Sequence, residues 1–417
     1  MLGIDFGTSN SAAALLGDDG QVRHIPLEGG KSTLPTALFF SHEDGQTHYG
    51  AAALHAYLSG EEGRLMRSIK SLLGSSLMDD TTLVNGRPTS LFEIVVMFLR
   101  ELKARTEAHL GHPVDAAMLG RPVYFVDGDP VRDQLAQATL ERAARAAGFA
   151  HIGFQLEPIA AALDFERQVR HDSTVLVVDI GGGTSDFTVV RVRPDPAPQA
   201  DRSSDILATT GIHIGGTDFD QQLNLRHVMP LLGLGHSGPS GREVPSSVFH
   251  QLSTWHLIPQ CYTRKGLHDA AELRTLYADR QLHARLLRVL HQREGHRLLA
   301  EAEAAKIGCS STGHSAPLAL DCIERGLDAA LSPAALAEGL QAQLAAIVAC
   351  ARDCVRQAGL RRPDVVYLTG GSSALAPLGA AFAAAFPDSR SASGDRFGSV
   401  VAGLATHGAR QHGLTCA

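Results

Sequence analysis

The sequence predicts an α/β chain of two pseudo-symmetric lobes, each a mixed sheet flanked by helices. Three observations predict it. Residues 2–16 (LGIDFGTSNSAAALL) and 174–192 (TVLVVDIGGGTSDFTVVRV) repeat one pattern: apolar strand, Asp, Gly-Thr-polar turn, second apolar strand. Asp5 and Asp179 stand 174 positions apart, roughly one domain's length, so the echo reads as a duplicated lobe and not as a short-period array. Strands then alternate with helices in the same order after each copy, the pattern of mixed sheets with helices packed on them. The expected lobes are 1–172 and 173–417, facing each other across a cleft.

The elements follow in order. After the first copy come a strand at 114–119, the turn Gly120-Arg121-Pro122 and a helix at 130–147 that stops at Gly148, then a short strand at 152–155 and a helix at 158–169. After the second come a strand at 364–368, the turn Gly370-Gly371-Ser372, a helix at 375–385, a strand near 389–391 and a helix at 398–411. Residues 91–110 carry apolar positions at helical spacing and end at Gly111. Residues 333–358 begin with Ser332 as N-cap and Pro333 at the first helical position. Segment 280–308 reads as one or two helices. Stretches 194–205 and 233–247 read as loops, the second Gly/Ser/Pro-rich and mobile.

Composition narrows the function. The 417 residues include 37 Lys+Arg and 44 Asp+Glu, a net charge of −7, which argues against a nucleic-acid binder with its basic face. At 44% hydrophobic and 19% charged residues the chain can bury real cores. No apolar run is expected to reach the roughly 18 residues of a membrane span. The N-terminus enters a strand without a basic and apolar leader, so a cytoplasmic location is expected. Six cysteines without C-x-x-C form no disulfide framework; Cys350 and Cys354, four apart on a helix, read as structural thiols.

The two Gly-Thr turns carry the chemistry. A tight glycine hairpin points successive backbone N–H groups into a concavity that binds anions. Glycine permits positive φ and lets phosphate approach the backbone. Thr8 and Thr184 add hydroxyls. An Asp beside each turn is compatible with phosphate when a cation sits between, and Mg²⁺ binds through one or two carboxylates, waters and phosphate oxygens. A single such turn is ordinary hairpin chemistry; a matched pair one lobe apart reads as a phosphate clamp.

At this point the residues resemble a known family. Ile4-Asp5-Phe6-Gly7-Thr8-Ser9-Asn10-Ser11 and Asp179-Ile180-Gly181-Gly182-Gly183-Thr184-Ser185-Asp186 look like the two phosphate motifs of the heat-shock protein 70 ATPase domain. The resemblance extends over nearly the whole chain. Glu157-Pro158-Ile159-Ala160-Ala161-Ala162 resembles the connecting motif, Ile69-Lys70-Ser71-Leu72-Leu73-Gly74 the catalytic-lysine segment, and Ile214-Gly215-Gly216-Thr217-Asp218-Phe219-Asp220, Glu303-Ala304-Ala305-Lys306 and Leu368-Thr369-Gly370-Gly371-Ser372-Ser373 the adenosine segments. Phe397-Gly398-Ser399-Val400 and Gly120-Arg121-Pro122 look more like the short YegD-like members.

The resemblance implies an actin-like ATPase fold with a central nucleotide cleft, and roles follow residue by residue. Gly7, Thr8 and Ser9, with Gly181, Gly182, Gly183 and Thr184, would cradle the β- and γ-phosphates of ATP or ADP. Asp5 and Asp179 would hold Mg²⁺ through water. Lys70 would neutralise the γ-phosphate and position the attacking water, with Glu157 and Asp186 beside it. Gly215, Gly216, Gly370, Gly371 and Ser372 would lie against the ribose and adenine, Glu303 and Lys306 would face the ribose, and Ser310 the base. The chain also departs from the family. Ile307 and Ala374 stand where two arginines sandwich adenine, Phe397 replaces an acidic residue, and 217–302 is enlarged. No peptide-binding domain is expected after the ATPase segment. The expected activity is slow, Mg-dependent ATP hydrolysis in a chaperone-like switch, read by a client or co-chaperone-like partner through the lobe angle. A small-molecule kinase, an actin-like filament subunit and a non-hydrolysing scaffold are the alternatives.

Overall fold

The structure, a computed structural model, describes residues 1–126, 128–166, 171–194, 203–394 and 398–411. Its two large sheets have the same build. In the first, the order is His151–Leu156, Ala116–Arg121, Leu2–Phe6, Asn10–Leu16, Val22–His24, with Thr33–Pro35 also paired to Asn10–Leu16. In the second it is Arg390–Ser393, Val365–Thr369, Ser173–Ile180, Ser185–Val192, Ile206–Ile212. Taken from the left, neighbours are parallel, parallel, antiparallel and antiparallel in both. The echo in sequence is therefore also an echo of topology. Parallel neighbours need a crossover, and the chain supplies one in each half: helix Pro130–Ala147 in the first, Ala376–Ala385 in the second.

Local chemistry explains the helix ends. Ser90 accepts from the Glu93 N–H at 3.1 Å while Glu93 accepts from the Ser90 N–H at 2.7 Å, a complete capping box for Leu91–Leu110. Asp129 caps Pro130–Ala147, and Gly148 ends it in the left-handed region at φ +105°. The central strands Leu2–Phe6 and Ser173–Ile180 are buried nearly throughout, as strands covered on both faces must be. Helix Ser399–Gln411 is buried over ten of its thirteen residues and packs on helix Glu157–Glu166 and on strand Leu2–Phe6.

By compactness the chain divides into Met1–Ile212 with Cys350–Ser373 and Phe386–Ala417, and His213–Ala349 with Ala374–Ala385. Both large sheets lie in the first unit. The second unit is mainly helical: Gly216–His227, four short helices between 247 and 291, Gly295–Thr312, and a small hairpin, Ala316–Ala319 with Asp328–Leu331. Segment 280–308 resolves into two helices, broken where Arg293 takes φ +57°. Stretch 233–247 is tied down: His236 Nε2 accepts from the Ala278 and Asp279 N–H groups at 3.2 Å, and Tyr277 Oη donates to the Leu232 carbonyl at 2.8 Å. Stretch 194–205 lies largely outside the described residues.

One helix bears on the membrane expectation. Helix Pro333–Gln357, with 25 residues, is long and apolar enough to cross a membrane by length and composition. It contains no unbroken apolar run of that length, since Glu338, Arg352, Asp353 and Arg356 interrupt it. Its Leu336, Leu340, Ile347, Ala351 and Cys354 form a stripe at helical spacing that is buried within the fold. On that helix, the Cys350 Sγ–H donates to Thr210 Oγ1 at 3.5 Å and the Cys354 Sγ–H to the Phe187 carbonyl at 3.3 Å.

Candidate active site

The two hairpins come together in the first unit. The first turn, Gly7–Asn10, is pinned by Thr36, whose N–H donates to the Ser9 carbonyl at 2.8 Å and whose hydroxyl donates to the Gly7 carbonyl at 2.8 Å. Sequence reasoning missed Thr36; it lies in the segment Thr33-Leu34-Pro35-Thr36, and no spacing links it to residue 7. The second turn closes with Gly181 N–H on the Thr184 carbonyl at 2.9 Å, and Ser372 Oγ donates to the Gly181 carbonyl at 3.1 Å. A Cβ placed on Gly182 would stand 2.1 Å from Ser9 Oγ, so the turns touch.

The reason for the glycines also needs correction. None of Gly7, Gly181, Gly182 and Gly183 has positive φ. What Gly7 and Gly182 provide is room: a Cβ on Gly7 would meet the Asn10 carbonyl oxygen at 2.1 Å. Gly370 does need its glycine conformation, at φ +84°, and its missing Cβ leaves space for Asp179 Oδ1, which a Cβ would approach to 2.3 Å. Gly370 thus supports the Asp179 carboxylate from the next strand.

Charge concentrates beside the turns. Lys70, in the short 3-10 turn Ile69–Leu72, reaches Glu157 Oε1 at 2.7 Å, with the two side chains only 11% and 13% exposed. Ser68, just before it, is held at φ +56°, an uncommon conformation for a non-glycine residue. Burial pushes the Asp5 carboxyl up to about 7, helped by Glu157 and opposed by Lys70. Burial, then Glu157, Asp186 and Asp5, push Asp179 up to about 8. Burial alone would lower the Lys70 ammonium, but Glu157, Asp5 and Asp179 together hold it above its ordinary value. Asp186 lies across from Asp179 in the strand register, and Thr184 Oγ1 donates to its Oδ2 at 3.0 Å. Three carboxylates, Glu157, Asp5 and Asp179, therefore share one ammonium, with Asp186 beside Asp179. That donor set suits a divalent cation that takes water and phosphate oxygens as further ligands; among the described residues no three such side chains form a cage of their own.

The comparison with known families now has a geometry to attach to. Residues 81–230 match the model of the Hsp70 family, described as Hsp70 protein. Over that stretch the chain is similar to the Hsp70 family. The matched stretch contains Glu157, the second hairpin and Gly215–Asp220; the first hairpin and Lys70 lie before it. That similarity is to a family of nucleotide-binding ATPases of the actin/Hsp70 superfamily.

The residues expected on the adenosine side lie mainly in the second unit, with Gly370, Gly371 and Ser372 in the first. Lys306 is buried and pairs with Asp220 at 2.6 Å, and its ammonium also approaches the Gly216 carbonyl at 3.4 Å. It ties helix Gly295–Thr312 to the Gly215-Gly216 start of helix Gly216–His227. Glu303, one turn earlier, is exposed. Ser310 Oγ donates to the Ala374 carbonyl at 3.1 Å and accepts from the Ala376 N–H at 2.9 Å, joining two helices of that unit. Ile307 is 56% exposed and offers an apolar face. Gly371 is exposed beside Ser372. Phe397 lies outside the described residues.

The raised carboxyls set a pH dependence. The folded Asp5 and Asp179 keep protons that the unfolded chain releases near pH 4, so the folded state binds more protons between those values and about pH 8. Their contribution to stability is fully present at low pH and is lost as pH rises through 7 to 8. Melting in EDTA between about pH 5.5 and 9 should show the midpoint falling with pH, and Mg-ADP should flatten the fall. A midpoint that rises across this range in EDTA would contradict the charge balance described.

Proposed function

We propose that this protein binds ATP through its two hairpins with Mg²⁺, hydrolyses it slowly, and acts as a nucleotide-dependent switch of the Hsp70 type that a protein partner reads. The observation that carries this reading is the meeting of the two turns, Ser9 against Gly182, beside the Lys70–Glu157 ion pair and the carboxylates Asp5 and Asp179. The backbone N–H groups of Gly7–Ser9 and Gly181–Thr184 and the Thr8, Ser9 and Thr184 hydroxyls supply donors for phosphate oxygens. Mg²⁺, when bound, screens the phosphate charge and balances Asp5 and Asp179. Lys70 provides the positive charge toward which negative charge grows in phosphoryl transfer. Glu157 holds that ammonium in place, and with Asp186 it can accept a hydrogen bond from the attacking water and orient it. Phosphate release from ATP without any added acceptor, in Mg²⁺ and in EDTA, tests this: release above background in Mg²⁺ alone supports hydrolysis, and none in either refutes it.

The base should be held loosely. Planar stacking on arginine is worth about 0.5–2 kcal/mol each when desolvated. Ile307 and Ala374 forgo both, roughly 1–4 kcal/mol together, between several-fold and nearly a thousandfold in Kd. Ile307 returns part of this through apolar contact. ATP affinity is therefore expected at about micromolar or weaker, with poor discrimination against GTP and with tripolyphosphate keeping much of the affinity. Competition of ATP, GTP and tripolyphosphate in Mg²⁺ checks this; nanomolar binding selective for adenine would contradict it.

A further inference from the structure

We propose that a cavity on the second sheet, beside the hairpins but clear of their turns, binds a small polyhydroxylated molecule that carries no negative charge. The cavity holds about 350 Å³ within the first unit, at the lower end of small-molecule sites. Room for a monosaccharide-sized molecule follows from that volume.

Strand register explains why its floor is polar. One cross-strand row reads Thr369, Asp179, Asp186, Gly211; the next reads Val177, Thr188, Thr209. On this face two residues along each strand share a side, so carboxylates stand above hydroxyls where an ordinary buried sheet would carry Val and Leu. Gly211 ends the upper row without a side chain, and a Cβ there would come 2.9 Å from Asp186 Oδ1. The opposite wall is apolar: Pro122, Val123 and Tyr124, with Pro158 and Ala161 from helix Glu157–Glu166.

That apolar loop is built in advance. Arg121 donates to the Pro122 and Val123 carbonyls at 3.0 Å each and to Asp133 Oδ2 at 2.8 Å. Asp133 in turn accepts from the Phe125 N–H at 2.6 Å. The loop therefore does not have to order itself around a guest, which lowers the cost of binding.

The hydrogen-bond bookkeeping selects the guest. Of the lining hydroxyls, Thr209 donates its proton to the Phe187 carbonyl at 3.2 Å and Thr210 to the Cys350 carbonyl at 3.3 Å, while Thr188 shares a bond with Thr209 at 3.1 Å and Thr369 one with Ser399 at 2.9 Å. What these groups have left to offer is lone pairs. Glu157 and Asp186 add further acceptors and Gln357 an amide, and among the described lining residues there is no lysine or arginine; the Lys70 ammonium reaches the cavity's Glu157 from outside that lining. An anion would meet a cluster of carboxylates whose shared ammonium, Lys70, is already engaged by Glu157 at 2.7 Å, a costly place for a further negative charge. A guest rich in hydroxyl donors, with an amino group tolerated, matches the acceptors on the floor and the apolar wall above it. The cavity shares Glu157, Asp179 and Asp186 with the proposed nucleotide site, while Pro122, Val123, Tyr124 and the threonine rows belong to it alone.

Calorimetric titration of the full chain with glucose, myo-inositol, glucosamine and gluconate tests the site. Saturable binding is expected for at least one of the first three, with gluconate at least about tenfold weaker. Thr209→Val should weaken that binding by about tenfold and leave the melting midpoint and tripolyphosphate binding unchanged. Tyr124→Ala, in the exposed part of the wall, should weaken it as well without any risk to the fold. No saturable binding by the three uncharged or amino probes up to about 10 mM, equal binding of gluconate, or unchanged binding in both variants would overturn the proposal. Loss of ATP binding with polyol binding retained would sink the nucleotide reading and leave this one standing.

Discussion

Replacing Lys70 by alanine should cut phosphate release from Mg-ATP by about a hundredfold or more while the Kd for ATP stays within about tenfold. The asymmetry follows from where the charges sit. Ground-state phosphate binding is shared among many backbone N–H groups in two turns, and none of them depends on residue 70. The charge that develops during transfer has one nearby ammonium to face, the one held 2.7 Å from Glu157. Removing it also leaves Glu157, Asp5 and Asp179 without their common counter-charge, so the metal-free variant should melt earlier and Mg²⁺ should recover more of the loss than in the parent. Phosphate release and ATP titration on the same preparation, with the fold checked by circular dichroism, separate these effects. Wild-type turnover in the variant would remove Lys70 from the mechanism.

Gly403→Ala should lower stability by about 3 kcal/mol or more, a fall in the melting midpoint of at least about 5 °C. A Cβ on Gly403 would stand 1.8 Å from the Ala160 carbonyl oxygen and 2.5 Å from its carbon. Both are backbone atoms of the helix that begins with Glu157, so no side chain can swing aside. The helices must separate, and the helix carrying Glu157 moves with them; activity should therefore fall along with stability. Gly379→Ala is the control. It lies in helix Ala376–Ala385, its added Cβ meets nothing within 4 Å, and helix propensity should make it neutral or stabilising by up to about 1 kcal/mol. Equal melting of the two variants would contradict this account of the packing.

The repeat was legible because the hairpins are local: apolar strand, Asp, turn and return strand lie within about twenty residues of sequence, and their pattern specifies pairing directly. Helix ends were legible for the same reason, through Ser90 with Glu93 and through Gly148. What escaped the sequence depends on contacts between distant segments. The pinning of the first turn by Thr36, the support of Asp179 by Gly370 and the pairing of Lys306 with Asp220 each join residues that no period connects. The glycines of the turns looked like φ-driven choices and turned out to be steric ones, a distinction that needs the opposing Ser9 and Asn10 atoms. The polar rows of the cavity exist only once register sets Thr188 between Val177 and Thr209; as sequence, these residues are three unremarked positions in three strands. Helix Pro333–Gln357 shows the converse case: its composition passes the length and hydropathy of a membrane span, while its Leu336, Leu340, Ile347, Ala351 and Cys354 are buried.

Titration of the full chain with ATP, in Mg²⁺ and then in EDTA, tests the central claim most directly. The two opposed hairpins and their carboxylates predict one saturable site at about micromolar affinity or weaker in Mg²⁺, displaced by tripolyphosphate and weakened at least about tenfold in EDTA. Absence of saturable binding up to millimolar ATP, or binding that tripolyphosphate does not displace, would contradict it.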